Sequence, residues 1–195
     1  MNSHDVTERW AWIGDWLRDR APRSHASLRP GASVERMAQT EQQLGFPLHT
    51  ALRGLWSLND GVSDSEASAF LNGLGPLPLD VALETRAFLA DEVPEWGPLW
   101  VPFTADEVGE PWSGDFIDCG SGLTGQWCMD EEPGMHGESC DGLTLPGLLG
   151  YVVEALRAGT GPLIGRPNAP GLVDGALVWA DPRDVCTPGW APVHA

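Results

Sequence analysis

Apolar residues recur at helical spacing through residues 1–60 and then change to short runs between turn formers, so the chain reads as helices first and strands later. Val6, Trp10, Ile13 and Leu17 follow one another at spacings of four, three and four behind Asp5 and Glu8, which resemble a capping box. This predicts a first helix with one buried stripe. Pro22 and the Pro30-Gly31 pair bracket a segment expected to be irregular, and Ser33 is placed to cap a second helix that runs to Leu44 and stops at Gly45. A third helix is expected to open at Pro47 and to bury Leu48, Leu52, Leu55 and Trp56. Asn59-Asp60-Gly61 ends it with residues that tolerate left-handed backbone.

Beyond Gly61 one more helix is expected from about Asp80 to Leu89. Leu99 to Phe103, Phe116 to Cys119 and Gln126 to Met129 are brief, apolar or aromatic, and separated by Gly, Asp and Ser, as consecutive strands with hairpin-like links would be. A last helix carries Pro146 in its first turn and Leu149, Val152, Val153 and Leu156 on its apolar face before Gly159. Residues 160–173, rich in Gly and Pro, read as a loop, Ala176 to Trp179 as a late edge strand, and the rest as a loose tail. With no internal repeat and no break in composition, residues 1–195 read as a single domain.

Composition keeps that picture within the globular class. Hydrophobic residues make up 42% and charged ones 20%, while the 24 Gly and 17 Pro stay below the level that signals disorder. No apolar run is long enough to span a membrane, and Met1 to Trp10 lacks the layout of a signal peptide, so a cytoplasmic location is expected. Cys119, Cys128, Cys140 and Cys186 are irregularly spaced and are expected to be reduced thiols. A metal site could be drawn from Cys119, Cys128, His136 and Cys140, but the gaps fit no short-knuckle zinc pattern, and no metal or cofactor is expected.

Charge changes the picture more. Residues 61–154 hold 18 of the 28 acidic residues and one basic residue, Arg86, so the formal net charge of −17 resides in that segment, while both flanks are neutral. There is no lysine, and every cation is an arginine, which suits fixed bidentate pairing. A field of that sign attracts basic partners and disfavours direct contact with nucleic acid or an anionic membrane. Simple solubility is the plain alternative.

Catalytic patterns are sparse. Gly120-Ser121-Gly122 lacks the spacing of a nucleophile elbow and reads as a turn. Of five histidines, His4 and His194 fall in termini expected to fray, His25 in a loop and His49 at a helix start, which leaves His136 near other polar chemistry. Paired carboxylates remain: Asp106-Glu107, Asp115 with Asp118, and Asp130-Glu131-Glu132. Glycosidase-like chemistry needs two carboxylates on opposite sides of one bond, which spacing alone does not establish, and no stretch has the calcium-loop pattern.

Several motifs together carry a resemblance. Glu41-x-x-Leu44-Gly45-x-Pro47-Leu48, then Leu58-Asn59-Asp60-Gly61, then Trp96-Gly97-Pro98-x-Trp100-Val101-Pro102-Phe103, then Asp106, Asp118 and Gly125-x-Trp127 resemble, in order and spacing, the Smi/Knr branch of the SUKH superfamily. The chain has Pro47-Leu48 where the family usually has Leu-Pro. The resemblance covers about residues 8–157 and leaves 158–195 as a C-terminal extension. It implies an α+β fold, a largely antiparallel sheet with helices packed mainly on one face. It also implies a non-catalytic role: bacterial members are regarded as immunity proteins against toxins, often nucleases, and fungal relatives as scaffolds in cell-wall signalling.

The residues lead to a compatible expectation. An acidic face can occupy the basic nucleic-acid cleft of a toxin, mimicking phosphate in sign. Most of the ten tryptophans read as core, Trp10, Trp56, Trp100 and Trp127 among them, while Trp96 and Trp112 sit at loop positions beside Pro, Gly and acids, from which they could anchor an interface or clamp back onto the domain. The expected partner-binding residues are therefore Asp106, Glu107, Glu110, Trp112, Asp115, Asp118 and Trp96, facing a basic protein. A regulatory scaffold and a small carboxylate-dependent hydrolase are the alternatives.

Overall fold

The computed structural model describes residues 3–63, 67–136, 142–164, 168–183 and 188–194, apart from the side chains of Ser3 and His4. Cys140 and Cys186 lie outside these residues. Helix α1, Ser3–Arg20, forms on the expected stripe: Val6, Trp10, Ile13 and Leu17 are all buried. Burial of an aliphatic side chain of this kind contributes about 1.5–3 kcal/mol. Where an irregular link was expected, a short helix α2 spans Pro22–Ser27. Proline suits its first turn, and its buried residues are Ser24 and Ser27, so it has no apolar stripe by which periodicity could reveal it. Helix α3, Val34–Leu44, is capped as expected, with Ser33 Oγ accepting from Arg36 N at 3.2 Å and Gly45 closing it at φ 78°.

Helix α4, Thr50–Leu58, opens later than Pro47 because His49 Nδ1 accepts from Ala51 N at 3.2 Å and caps it. Glu41 ties the link to both neighbours: its Oε1 accepts from Leu48 N at 3.1 Å and from Arg53 at 2.6 Å. Asn59 and Asp60 serve through their side chains rather than through left-handed backbone. Asn59 Oδ1 accepts from Trp10 Nε1 at 2.6 Å, and its amide donates to Arg29 O at 2.8 Å. Asp60, 4% exposed, accepts from Leu79 N at 2.8 Å and pairs with Arg29 and Arg36. Gly61 alone of the three has positive φ, 67°, and a Cβ there would meet Pro78 N at 2.2 Å.

Strand β1, Gly75–Pro76, leads into helix α5, Leu79–Glu92, and then come β2, Trp100–Pro102, and β3, Thr104–Ala105. Strands β4, Ser113–Asp118, β5, Thr124–Cys128, and β6, Glu131–Met135, follow, then helix α6, Leu145–Ala158, and β7, Ala169–Val173, β8, Ala176–Ala180, and β9, Ala191–Pro192. The fold is α+β, with N-terminal helices and a C-terminal helix as expected. Among the described residues all strand pairing is antiparallel, but it is shared among three sheets: β2-β4-β5-β6, β1-β3 and β8-β7-β9. Helix α1 packs on α4 and α6, and α5 on β2.

The Trp-Gly-Pro-x-Trp run is a packed knot. Trp100 stacks on Phe116 at 4.2 Å between ring centroids, and Trp96 meets both edge-on at 5.5 and 5.3 Å. Arg86 donates to Pro98 O at 2.7 Å and to Trp100 O at 3.0 Å, so the one basic residue of the acidic segment is engaged with carbonyls.

The described parts of the segment expected to be loop and loose tail are built into the structure. Residues 169–173 form the centre of the third sheet, β9 pairs with them, and β8 is an edge as expected. Leu177 N donates to Ser24 Oγ at 3.0 Å, Trp179 Nε1 to Phe70 O at 2.8 Å, and His194 Nε2 lies 3.0 Å from Leu156 O. Leu163, Leu177 and Trp179 join the same core as α1. Among the described residues no helix is long and apolar enough to cross a membrane.

Candidate binding surface and adjoining cavity

The start of β4 gathers the acidic residues. Asp106 closes the loop before it: Oδ1 accepts from Glu107 N at 2.9 Å, Trp112 N at 3.0 Å and Ser113 N at 3.1 Å, while Oδ2 accepts from Ser113 Oγ at 3.2 Å. This holds Trp112 outward, 53% exposed, with Glu107 and Glu110 exposed beside it in the chain. The register then brings in residues from another hairpin. Ser113 pairs with Cys128, Cys128 with Glu131, and Met129 N donates to Trp112 O at 3.1 Å. Asp130, Glu131 and Glu132, all exposed, therefore share this end of the sheet with Trp112. Their acidity was legible in the sequence, but their place beside Trp112 depends on β6, a strand whose polar, Pro- and Gly-containing residues carry no strand pattern. Among the described residues no arginine lies within ion-pair distance of Glu107, Glu110, Asp130, Glu131 or Glu132.

The other expected contact residues sit elsewhere. Trp96, expected as an anchor, is 8% exposed because it packs on Trp100 and Phe116, and so it clamps the domain. Asp118 lies at the far end of β4, roughly 17 Å away at about 3.4 Å per residue. There it accepts from Gly120 N at 3.0 Å and Ser121 Oγ at 2.6 Å and shapes the β4–β5 turn. Asp115 is 8% exposed, held by Thr104 Oγ1 at 3.1 Å and by His136 Nε2 at 2.8 Å. Three residues apart on one strand, Asp115 and Asp118 point to opposite faces and do not flank a common bond.

Asp115 instead lines a cavity of about 630 Å³ bounded by β4, β5, β6 and α6. Leu74, Leu143, Leu148 and Tyr151, all partly exposed, contribute apolar wall, and Ser113, Cys128, Glu131 and Glu132 belong both to this cavity and to the acidic end of the sheet. Trp127 is 3% exposed, and its Nε1 has no acceptor among the described residues.

The remaining histidine and cysteine pair is chemically quiet. Burial pushes the Cys119 thiol up to about 11, and burial lowers His49, whose Nδ1 already accepts from Ala51 N. A thiol held protonated at neutral pH is a poor nucleophile. Among the described residues no cluster of three or more His, Cys, Asp and Glu is placed to hold a metal ion.

The chain matches no family model and no curated protein.

Proposed function

We propose that this protein is a non-catalytic binding domain that neutralises a basic toxin domain, with the surface around Trp112 as the contact. The observation that carries the reading is an exposed tryptophan sharing one sheet end with five exposed carboxylates that have no arginine partner among the described residues. Surface carboxylates held without counter-ions keep their field for an incoming cation, which steers association. The aromatic face adds cation–π contact with arginine or lysine once the partner arrives, about 0.5–2 kcal/mol for each such pair. The resemblance to the Smi/Knr branch, whose bacterial members neutralise toxins, supports the same class. A partner nuclease would present the complementary surface, a basic cleft that ordinarily takes phosphate.

The test is capture from the source cell at low salt followed by co-expression. A single dominant basic protein is expected, released by salt and lost from the Trp112→Ala/Glu107→Gln/Glu110→Gln variant. Co-expression of the wild-type chain should restore growth of cells producing that protein. Capture that is unchanged in the variant, or a captured protein that is harmless when produced alone, would overturn the reading.

A further inference from the structure

The accessible wall of the cavity beneath the acidic end is apolar and firmly held. Its deeper lining is closed, with Phe103 and Leu149 each 1% exposed, whereas Leu74, Leu143, Leu148 and Tyr151 are partly exposed. Leu74 ends a tight turn that joins it to Leu71 through backbone hydrogen bonds of 2.9 and 3.0 Å, and the two central residues, Asn72 and Gly73, both have positive φ. Leu143 O accepts from Thr124 N at 2.7 Å and from Thr124 Oγ1 at 2.8 Å. Leu148 and Tyr151 stand three residues apart on α6 and pack inward on the core. A wall ordered in this way before a partner arrives lowers the entropic cost of binding.

The polar lining narrows the choice of occupant. Asn72 Oδ1 accepts from Asn168 Nδ2 at 3.0 Å, Ser113 Oγ donates to Asp106 Oδ2 at 3.2 Å, and Asp115 is bound by Thr104 and His136, one bond to each carboxylate oxygen. These groups are engaged within the fold, so the chemistry left open inside the space is apolar. Glu131 and Glu132, which have no arginine partner among the described residues, are exposed and border the space on the Trp112 side. An apolar pocket with a charged rim is the arrangement by which protein interfaces hold an anchor residue. At about 630 Å³ the space is more than one side chain fills and suits two neighbouring ones.

We propose that the cavity receives two adjacent bulky apolar side chains, one aromatic and one aliphatic, from the basic protein that binds around Trp112, with arginines or lysines on either side of them meeting Glu131 and Glu132. The inference rests on the reading of the Trp112 surface as a partner site and adds the partner's anchor to it. Charge at the rim then governs how fast the complex forms, and the buried anchor governs how long it lasts.

The probes are two synthetic peptides of equal charge, acetyl-Arg-Arg-Phe-Leu-Arg-Arg-amide and its counterpart with Ala-Ala at the centre, titrated calorimetrically into the full chain. Tyr151 is the single tyrosine of the chain, so its ring resonances need no assignment and report on the cavity wall. The Phe-Leu peptide is expected to bind about tenfold or more tightly than the Ala-Ala peptide, as burial of two apolar side chains predicts, and it alone should shift Tyr151. Leu148→Trp, which fills the cavity, and Leu74→Asn, which makes its wall polar, are both at partly exposed positions. Each should bring the Phe-Leu peptide down to the Ala-Ala affinity and leave the Ala-Ala peptide unchanged. The comparison of the two peptides on the wild-type chain depends on neither variant. Equal affinities, tighter binding of the Phe-Leu peptide that leaves Tyr151 unmoved, or no saturable binding by it at millimolar concentration would overturn the proposal. Those outcomes leave capture at Trp112 standing, whereas a captured protein that ignores the Trp112 variant would remove the underlying reading instead.

Discussion

At the scale of single residues, polar side chains in this protein act mostly on their own backbone. Asp60, Asp106, Asp118 and Glu41 each close a turn or cap an element, and Cys119 is set aside from chemistry by burial. The last has a measurable consequence. The Cys119 thiol ordinarily titrates near 9 and is pushed up to about 11 in the fold, so the unfolded chain releases this proton first. Its contribution to stability is therefore complete below about 9 and is lost as pH rises toward 11. The denaturant midpoint should fall over that interval, and Cys119→Ser should fall less steeply. In a variant retaining Cys119 as its one cysteine, disulfide reagents at neutral pH should react slowly until the chain is unfolded. Prompt reaction in the native state would show the thiol to be exposed and acidic.

Among elements, the decisive contact is the crossing of β3 over β4. Phe103 N donates to Asp115 O and Asp106 N to Ser113 O, both at 2.9 Å, and a Cβ on Gly114 would come within 2.0 Å of Thr104 O. Only glycine permits that approach. Gly114→Ala should cost about 3 kcal/mol by displacing backbone that cannot yield as a side chain would, read as a lowered urea midpoint with the helical signal retained. A midpoint within experimental error of wild type would mean that the two strands are not so closely packed. This crossing also explains what the sequence could disclose. The apolar stripes of α1, α4 and α6 and the caps at Ser33 and Gly45 are local signals, and they predicted their elements well. Helix α2 buries serines, β6 is Glu-Glu-Pro-Gly-Met, and β7 lies in a Gly- and Pro-rich stretch, so none of the three has a periodic pattern to read. The candidate surface was legible only in part for the same reason. Glu107, Glu110 and Trp112 are neighbours in the chain, whereas Asp130, Glu131 and Glu132 join them through register, and Asp115 meets His136 across 21 positions.

Across the whole molecule, the net charge of −17 is less informative than where the arginines are placed. Arg53 pairs with Glu41, Arg18 with Asp15 and Arg183 with Asp181 inside the flanks, whereas Arg29 and Arg36 pair both with Asp60 and with Asp80 of the acidic segment. Arg86 is occupied by carbonyls, so among the described residues no arginine compensates the field at the Trp112 end of the sheet. Screening decides how far that field counts. At physiological ionic strength it decays over about 8 Å, so acids across the sheet on α5 should matter much less than those beside Trp112. Strand β2, against which α5 packs, pairs with β4 only from Phe116 onward, roughly 14 Å along the strand from Trp112 at about 3.4 Å per residue. Two variants with the same change in net charge separate locality from total charge. Glu107→Gln/Glu110→Gln/Glu131→Gln/Glu132→Gln should lower the association rate with the captured basic partner by about tenfold and flatten its salt dependence. Glu84→Gln/Asp91→Asn/Glu92→Gln/Glu95→Gln, all at exposed positions on α5 and the loop after it, should leave both nearly unchanged at physiological salt. Equal losses in the two variants would make the acidity a property of the whole surface, and the partner would then have no reason to choose the Trp112 end.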